Sequence, residues 1–128
     1  MFEYVRNDTG DNFPNVKEFK ATAGSYEVGD ALVLDAATGL LKIASGTVKP
    51  QYISAAAKTV TVKDAVLAVT PVYAGQEWKA GFSVDGSAVS VGSAVTIDST
   101  GKLVTATTTG GVFTVTENLG DAAVGRFM

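Results

Sequence analysis

The sequence has no cysteine and no histidine. Without cysteine, disulfide staples and thiolate metal sites are excluded. Without histidine, Ser-His-Asp and Cys-His catalysis have no base in this chain, and zinc loses both of its commonest ligands. Proline is scarce, at 3 residues in 128, and leucine, lysine and glutamate are too few for a mainly helical protein. Positive charge is thin as well. Ten Lys and Arg against 13 Asp and Glu leave a net charge of −3, and the basic residues are scattered singly. That argues against nucleic acid, because phosphate binding needs clustered Lys and Arg. The longest apolar run, AVLAVTPVYAG from Ala65 to Gly75, is too short to cross a bilayer as a helix. The opening MFEYVRNDTGDN lacks the apolar core of a signal peptide. The expectation is a soluble protein that is not exported by the usual route, holds no cofactor and engages no membrane.

What is present points to strands. Apolar residues make up 46 % of the chain, many of them Val and Ala, and Val and Thr suit a pleated, half-buried surface. Roughly ten short segments of this kind are spaced by Gly, Asn and Asp turns at the interval typical of sandwiches and barrels. The fold class is therefore all-β, a small β-barrel or β-sandwich of short, mostly antiparallel strands. Residues 1–15 read as a polar N-terminal arm or edge strand, with Phe2-Glu3-Tyr4-Val5-Arg6 alternating and NDTGDNFPN as a loop. Residues 16–128 read as a single β domain. Ala55-Ala56-Ala57-Lys58 has the composition of one helical turn, too short to stand alone.

One phrase occurs twice. VGDALVLDAATGLL runs from Val28 to Leu41, and VGSAVTIDSTGKLV from Val91 to Val104. Gly92 matches Gly29, Ala94 matches Ala31, Asp98 matches Asp35, Gly101 matches Gly39 and Leu103 matches Leu41. Each copy has alternating apolar positions, an Asp able to bond turn N–H groups, and a Gly where the bend needs positive φ. Two pseudo-equivalent hairpins are expected, over 28–44 and 91–106. Two copies are too few for a solenoid. Asp85-Gly86 is a third hairpin-turn signal.

Several constellations invite a chemical reading. Asp8, Asp11 and Asn12 cluster in NDTGDN, but their spacing departs from the calcium-loop pattern, so a solvated turn is expected and no metal site. Asp35 and Asp98 occupy equivalent hairpin corners. A turn role fits them better than the paired-carboxylate work of glycosidases. Glu77 is a lone carboxylate with no partner visible in sequence. Gly110-Gly111 lacks the Lys and the helix of a phosphate loop. No catalytic residue is assigned and no enzyme is expected. Phe82 reads as core. Tyr52, Tyr73 and Trp78 are the interface candidates, since Tyr and Trp dominate binding surfaces; for Trp78, interface and core remain equally open.

The polar arm, the VGDALVLDAATGLLKIA hairpin, the Gly-broken pair VLAVTPVYAGQEWKAGFSV and a terminal β-strand together resemble the small head-decoration (capsid cement) proteins of tailed bacteriophages. The resemblance covers about Phe13 to Met128. It implies a β-rich homotrimer, made in the host cytoplasm and placed on the capsid surface of the virion, where it binds the major capsid protein. It also implies that the arm adds a strand to the capsid protein's sheet, with Phe2, Tyr4, Val5 and Arg6 as the contact residues. The alternative is a carbohydrate-binding β-domain of a phage head or tail fibre, suggested by Tyr73, Trp78 and the Thr-rich segment 105–109.

Overall fold

The computed structural model describes residues 1–7, 15–104 and 110–128. Among the described residues there is no helix; there are thirteen short strands. They are β1 Glu3–Asn7, β2 Lys17–Lys20, β3 Gly24–Tyr26, β4 Ala31–Leu34, β5 Leu41–Ile43, β6 Tyr52–Ser54 and β7 Lys58–Val60. Then follow β8 Val66–Pro71, β9 Gln76–Gly81, β10 Ala94–Ile97, β11 Leu103–Val104, β12 Phe113–Asn118 and β13 Ala122–Phe127. They form a six-stranded sheet in the order β1-β9-β13-β12-β10-β11, a five-stranded sheet in the order β2-β8-β6-β4-β5, and a two-stranded sheet of β3 and β7. Every named pair is antiparallel. The architecture is an all-β sandwich. Each large sheet curls back on itself at one bridge, Ala21 to Leu41 and Phe82 to Leu103, and neither closes into a barrel.

The repeated phrase forms the β4–β5 and β10–β11 hairpins, with Gly39 at φ 70° and Gly101 at φ 77° in the bends. The last residues expected for the second hairpin, 105 and 106, lie outside the described residues. The likeness extends well past the hairpins. Order β2-β8-β6-β4-β5 maps onto β9-β13-β12-β10-β11 strand for strand. The connecting backbone bonds match as well. Gly29 N–H donates to Ser54 O as Gly92 N–H donates to Val115 O, and Gln51 N–H donates to Leu32 O as Val112 N–H donates to Val95 O. Thr22 N–H donates to Leu41 O as Ser83 N–H donates to Leu103 O, and Val72 N–H donates to Gln51 O as Met128 N–H donates to Val112 O. The chain is thus one five-stranded unit used twice. Register then fixes the equivalences: Lys17 with Trp78, Tyr52 with Phe113, and Pro71 with Phe127. The β3–β7 sheet belongs to the first half alone, and its Tyr26 and Val60 cover that half's core of Leu32, Leu41, Leu67 and Val69.

Two sequence expectations are corrected, and one left open between two readings is decided. Asp85-Gly86 does not close a hairpin: β9 pairs with β1 and β13, and β10 lies two strands away from β13. Gly86 has no positive φ; it is small because a Cβ there would strike the ring of Phe82. Ala55–Ala57 form no helical turn, and Lys58 begins β7. Of the two readings given for the N-terminal residues, arm or edge strand, residues 1–7 take the edge strand. β1 is paired along β9, Glu3 opposite Lys79 and Tyr4 opposite Trp78.

The second half holds the larger core, and the N-terminal strand completes it. Phe2 is 2 % exposed. Its ring centroid lies 4.8 Å from Phe127 and 5.7 Å from Phe113, both tilted contacts. Its N–H donates to Gly29 O at 2.9 Å, and a Cβ on Gly29 would lie 2.9 Å from Phe2 O, so the glycine admits the strand. Tilted aromatic contacts of this kind add to the burial itself. Phe2→Ala is expected to lower unfolding free energy by about 3–5 kcal/mol, read from urea denaturation. A loss under ~1 kcal/mol would mean that β1 is not seated in the core in solution.

Candidate functional site

The four residues expected to form a capsid-binding arm are held in the fold. Phe2 is core. Tyr4 is half-buried, edge-on to Trp78 at 5.5 Å. Arg6 Nε lies 2.8 Å from Glu77 Oε2. Val5 is exposed. The free-arm expectation is therefore corrected: the alternation that suits an added strand is already spent on β9. Glu77, without a partner in the linear sequence, is 7 % exposed and sits between two guanidinium groups. Arg126 Nη2 on β13 donates to its Oε1 at 3.3 Å. Its Oε2 faces Arg6 at ion-pair distance without the direction of a hydrogen bond. The cluster ties β1, β9 and β13 together.

Trp78 resolves to core at 2 % exposure. Its indole N–H donates to Gln76 Oε1 at 3.3 Å, and the same oxygen accepts Tyr73 N–H at 2.7 Å. Buried polar groups need such partners, and Gln76 supplies them to both ends of the bend between β8 and β9.

Tyr52 and Tyr73 behave differently. Tyr73 is 57 % exposed. Tyr52 is half-buried, its ring 4.7 Å from Phe19. They line one cleft of about 530 Å³ at the edge of the five-stranded sheet, together with Lys17, Lys49, Pro50 and Pro71. Neither lysine forms an ion pair among the described residues, and no carboxylate lines the cleft. Two ammonium groups, two phenols and two proline rings make a surface that can bind an anionic partner by charge and by ring contact. Lys17 and Lys49 carry no sequence signal, because a single strand or loop lysine reads as an ordinary solvated residue. Only the register and the loop path bring them to the tyrosines.

The carboxylates weighed for acid–base work are turn caps. Asp35 Oδ1 accepts Ala37 N–H at 3.0 Å, and Lys42 Nζ lies 3.4 Å from Oδ2. These contacts, the backbone bond foremost, hold its carboxyl below the usual range. Partial burial pushes Asp98 up, but bonds to Oδ1 from the Thr100 hydroxyl at 2.6 Å, the Thr100 N–H at 2.8 Å and the Lys102 N–H at 3.1 Å outweigh it. The net shift is downward. No group of three or more Asp or Glu side chains suited to a metal ion forms among the described residues. Asp8, Asp11, Asn12 and the Thr-rich 105–109 segment lie outside the described residues.

A depressed folded-state pKa stabilises above the unfolded carboxylate value near 4 and is lost as pH falls through the folded value. Asp98→Ala is therefore expected to cost about 1 kcal/mol at pH 7. The difference from the parent should shrink as pH falls below ~4. Equal stability of the two proteins at pH 7 would remove the turn role. Comparison of the chain with protein-family models, with curated proteins and with solved structures finds no match.

Proposed function

We propose that this chain is a bacteriophage capsid decoration protein. In this reading it binds the outer surface of the major capsid protein lattice as a homotrimer and stabilises the mature head. The phage assignment rests on the sequence resemblance. A binding role is supported by one observation above the others: the open cleft that carries Tyr52, Tyr73, Lys17 and Lys49 on a β scaffold, with no carboxylate among the described residues that line it. The N-terminal arm drops out as the contact, since β1 is seated on β9, and the cleft takes its place. Three such clefts on a trimer would gain from effective concentration, so each contact can be weak.

A second reading, carbohydrate binding, draws on the same cleft, because exposed Tyr rings beside polar groups also suit sugars. Trp78 does not belong to that site, so quenching of its fluorescence is no test; a glycan array is.

Mixed with expanded, undecorated heads of the cognate tailed phage, the protein should bind saturably and raise their heat resistance. Lys49→Glu with Tyr73→Ala should weaken that binding about tenfold or more without lowering fold stability, since both side chains are exposed. Absence of saturable binding by the unaltered protein would end the decoration reading. A sugar-specific signal abolished by Tyr73→Ala would favour the second.

A further inference from the structure

The internal duplication leaves the two halves unequal at one place. In the second half, β9 has a strand on each side, β13 and β1. In the first half, the equivalent strand β2 has β8 on one side, and on the other it meets a described strand, β5, at one bridge just past its end, Ala21 to Leu41. Ala21 N–H donates to Ala65 O on the β8 side. Antiparallel bonding alternates, so Lys17 and Phe19 also bond toward β8, and the N–H and C=O groups of Glu18 and the N–H of Lys20 point to the other edge, short of the Ala21–Leu41 bridge. The counterpart of Glu18, Lys79, belongs to the strand edge that receives β1, with Glu3 opposite it.

The side chains of the two halves diverge at the same place. Phe2 of β1's leading end packs against Phe113 and Phe127. The equivalents of those two rings are Tyr52 and Pro71, and both line the open cleft. Trp78, which faces Tyr4, is replaced by Lys17, another cleft residue. Phe19 stands where β9 has Ala80, and its ring lies 4.7 Å from Tyr52, so the cleft offers the place of Tyr4 and the part of the place of Phe2 that Phe19 leaves.

We infer that the β2 edge and this cleft together accept one extended strand from a partner protein, added antiparallel to β2. The strand carries an aromatic residue at the position of Phe2 and a carboxylate at the position of Tyr4. The aromatic ring enters between Tyr52 and Pro71. The carboxylate meets Lys17, with Lys49 as the second cation. Main-chain bonds to Glu18 and to the N–H of Lys20 supply affinity, and the ring and the charge supply specificity. Lysines on an edge strand also reject a second copy of the same edge, so the same residues that invite an acidic strand keep β2 from pairing with itself. This site is a property of the first half and stands whether or not the partner is a capsid protein.

The test uses the full chain and three seven-residue peptides: residues 1–7 as they stand, residues 1–7 with Tyr4→Glu, and a scrambled form of the latter. The Tyr4→Glu peptide should bind about tenfold more tightly than the other two, less so at high salt. Amide resonances of Glu18 and Lys20 should shift, and their fast hydrogen exchange in the free protein should slow. Lys17→Glu should weaken the Tyr4→Glu peptide about tenfold, and Lys17→Trp should switch the preference to the unaltered peptide. Lys17 is exposed, so neither variant threatens folding. Slow exchange at Glu18 and Lys20 in the free protein would show that the chain already covers this edge and would overturn the inference. So would equal binding of the three peptides, or shifts confined to β9.

Discussion

The constraint on which this molecule depends is the pairing of main-chain N–H and C=O groups in short strands. Most strands here have three to six residues, so no single pair is stable alone. Stability comes from closing a fixed set of five strands, order β2-β8-β6-β4-β5, and closing the same set again as β9-β13-β12-β10-β11. The bonds that join strand ends to turns recur residue for residue, from Gly29 and Gly92 to Val72 and Met128. Side chains then fill a frame that the backbone has already set.

Filling differs between the halves. The second half is packed with rings: Phe2, Trp78, Phe113 and Phe127 lie within contact of one another. The first half has aliphatic residues in its interior and the β3–β7 pair as a cover. Where the second half has Trp78 and Phe127, the first has Lys17 and Pro71, and a cleft opens beside Tyr52. The proposed site lies where one copy of the unit has a flanking strand and the other has none described along most of that edge.

The charged groups follow the same logic of completion. Glu77 is buried with Arg6 and Arg126 from the two flanking strands, and a buried carboxylate needs such pairing. Asp35 and Asp98 serve their own turns. The lysines of the cleft have no carboxylate partner among the described residues, and the proposed external anion would meet them there.

Much of the frame was legible in the sequence. Local chemistry dictates a hairpin wherever Gly, alternating apolar residues, a corner Asp and a bend Gly occur together, and both hairpins formed as that grammar requires. The all-β class followed from composition for the same local reason. The halves as complete repeats were not legible, because register is carried by main-chain bonds that leave no mark on residue type; Lys17 and Trp78 share a place while sharing no chemistry. Nor was the fate of Phe2-Glu3-Tyr4-Val5-Arg6 legible. An alternating segment can add to any open edge, and only the tertiary structure decided that it completes β9, because Phe2 finds a pocket of rings there and β2 offers a lysine.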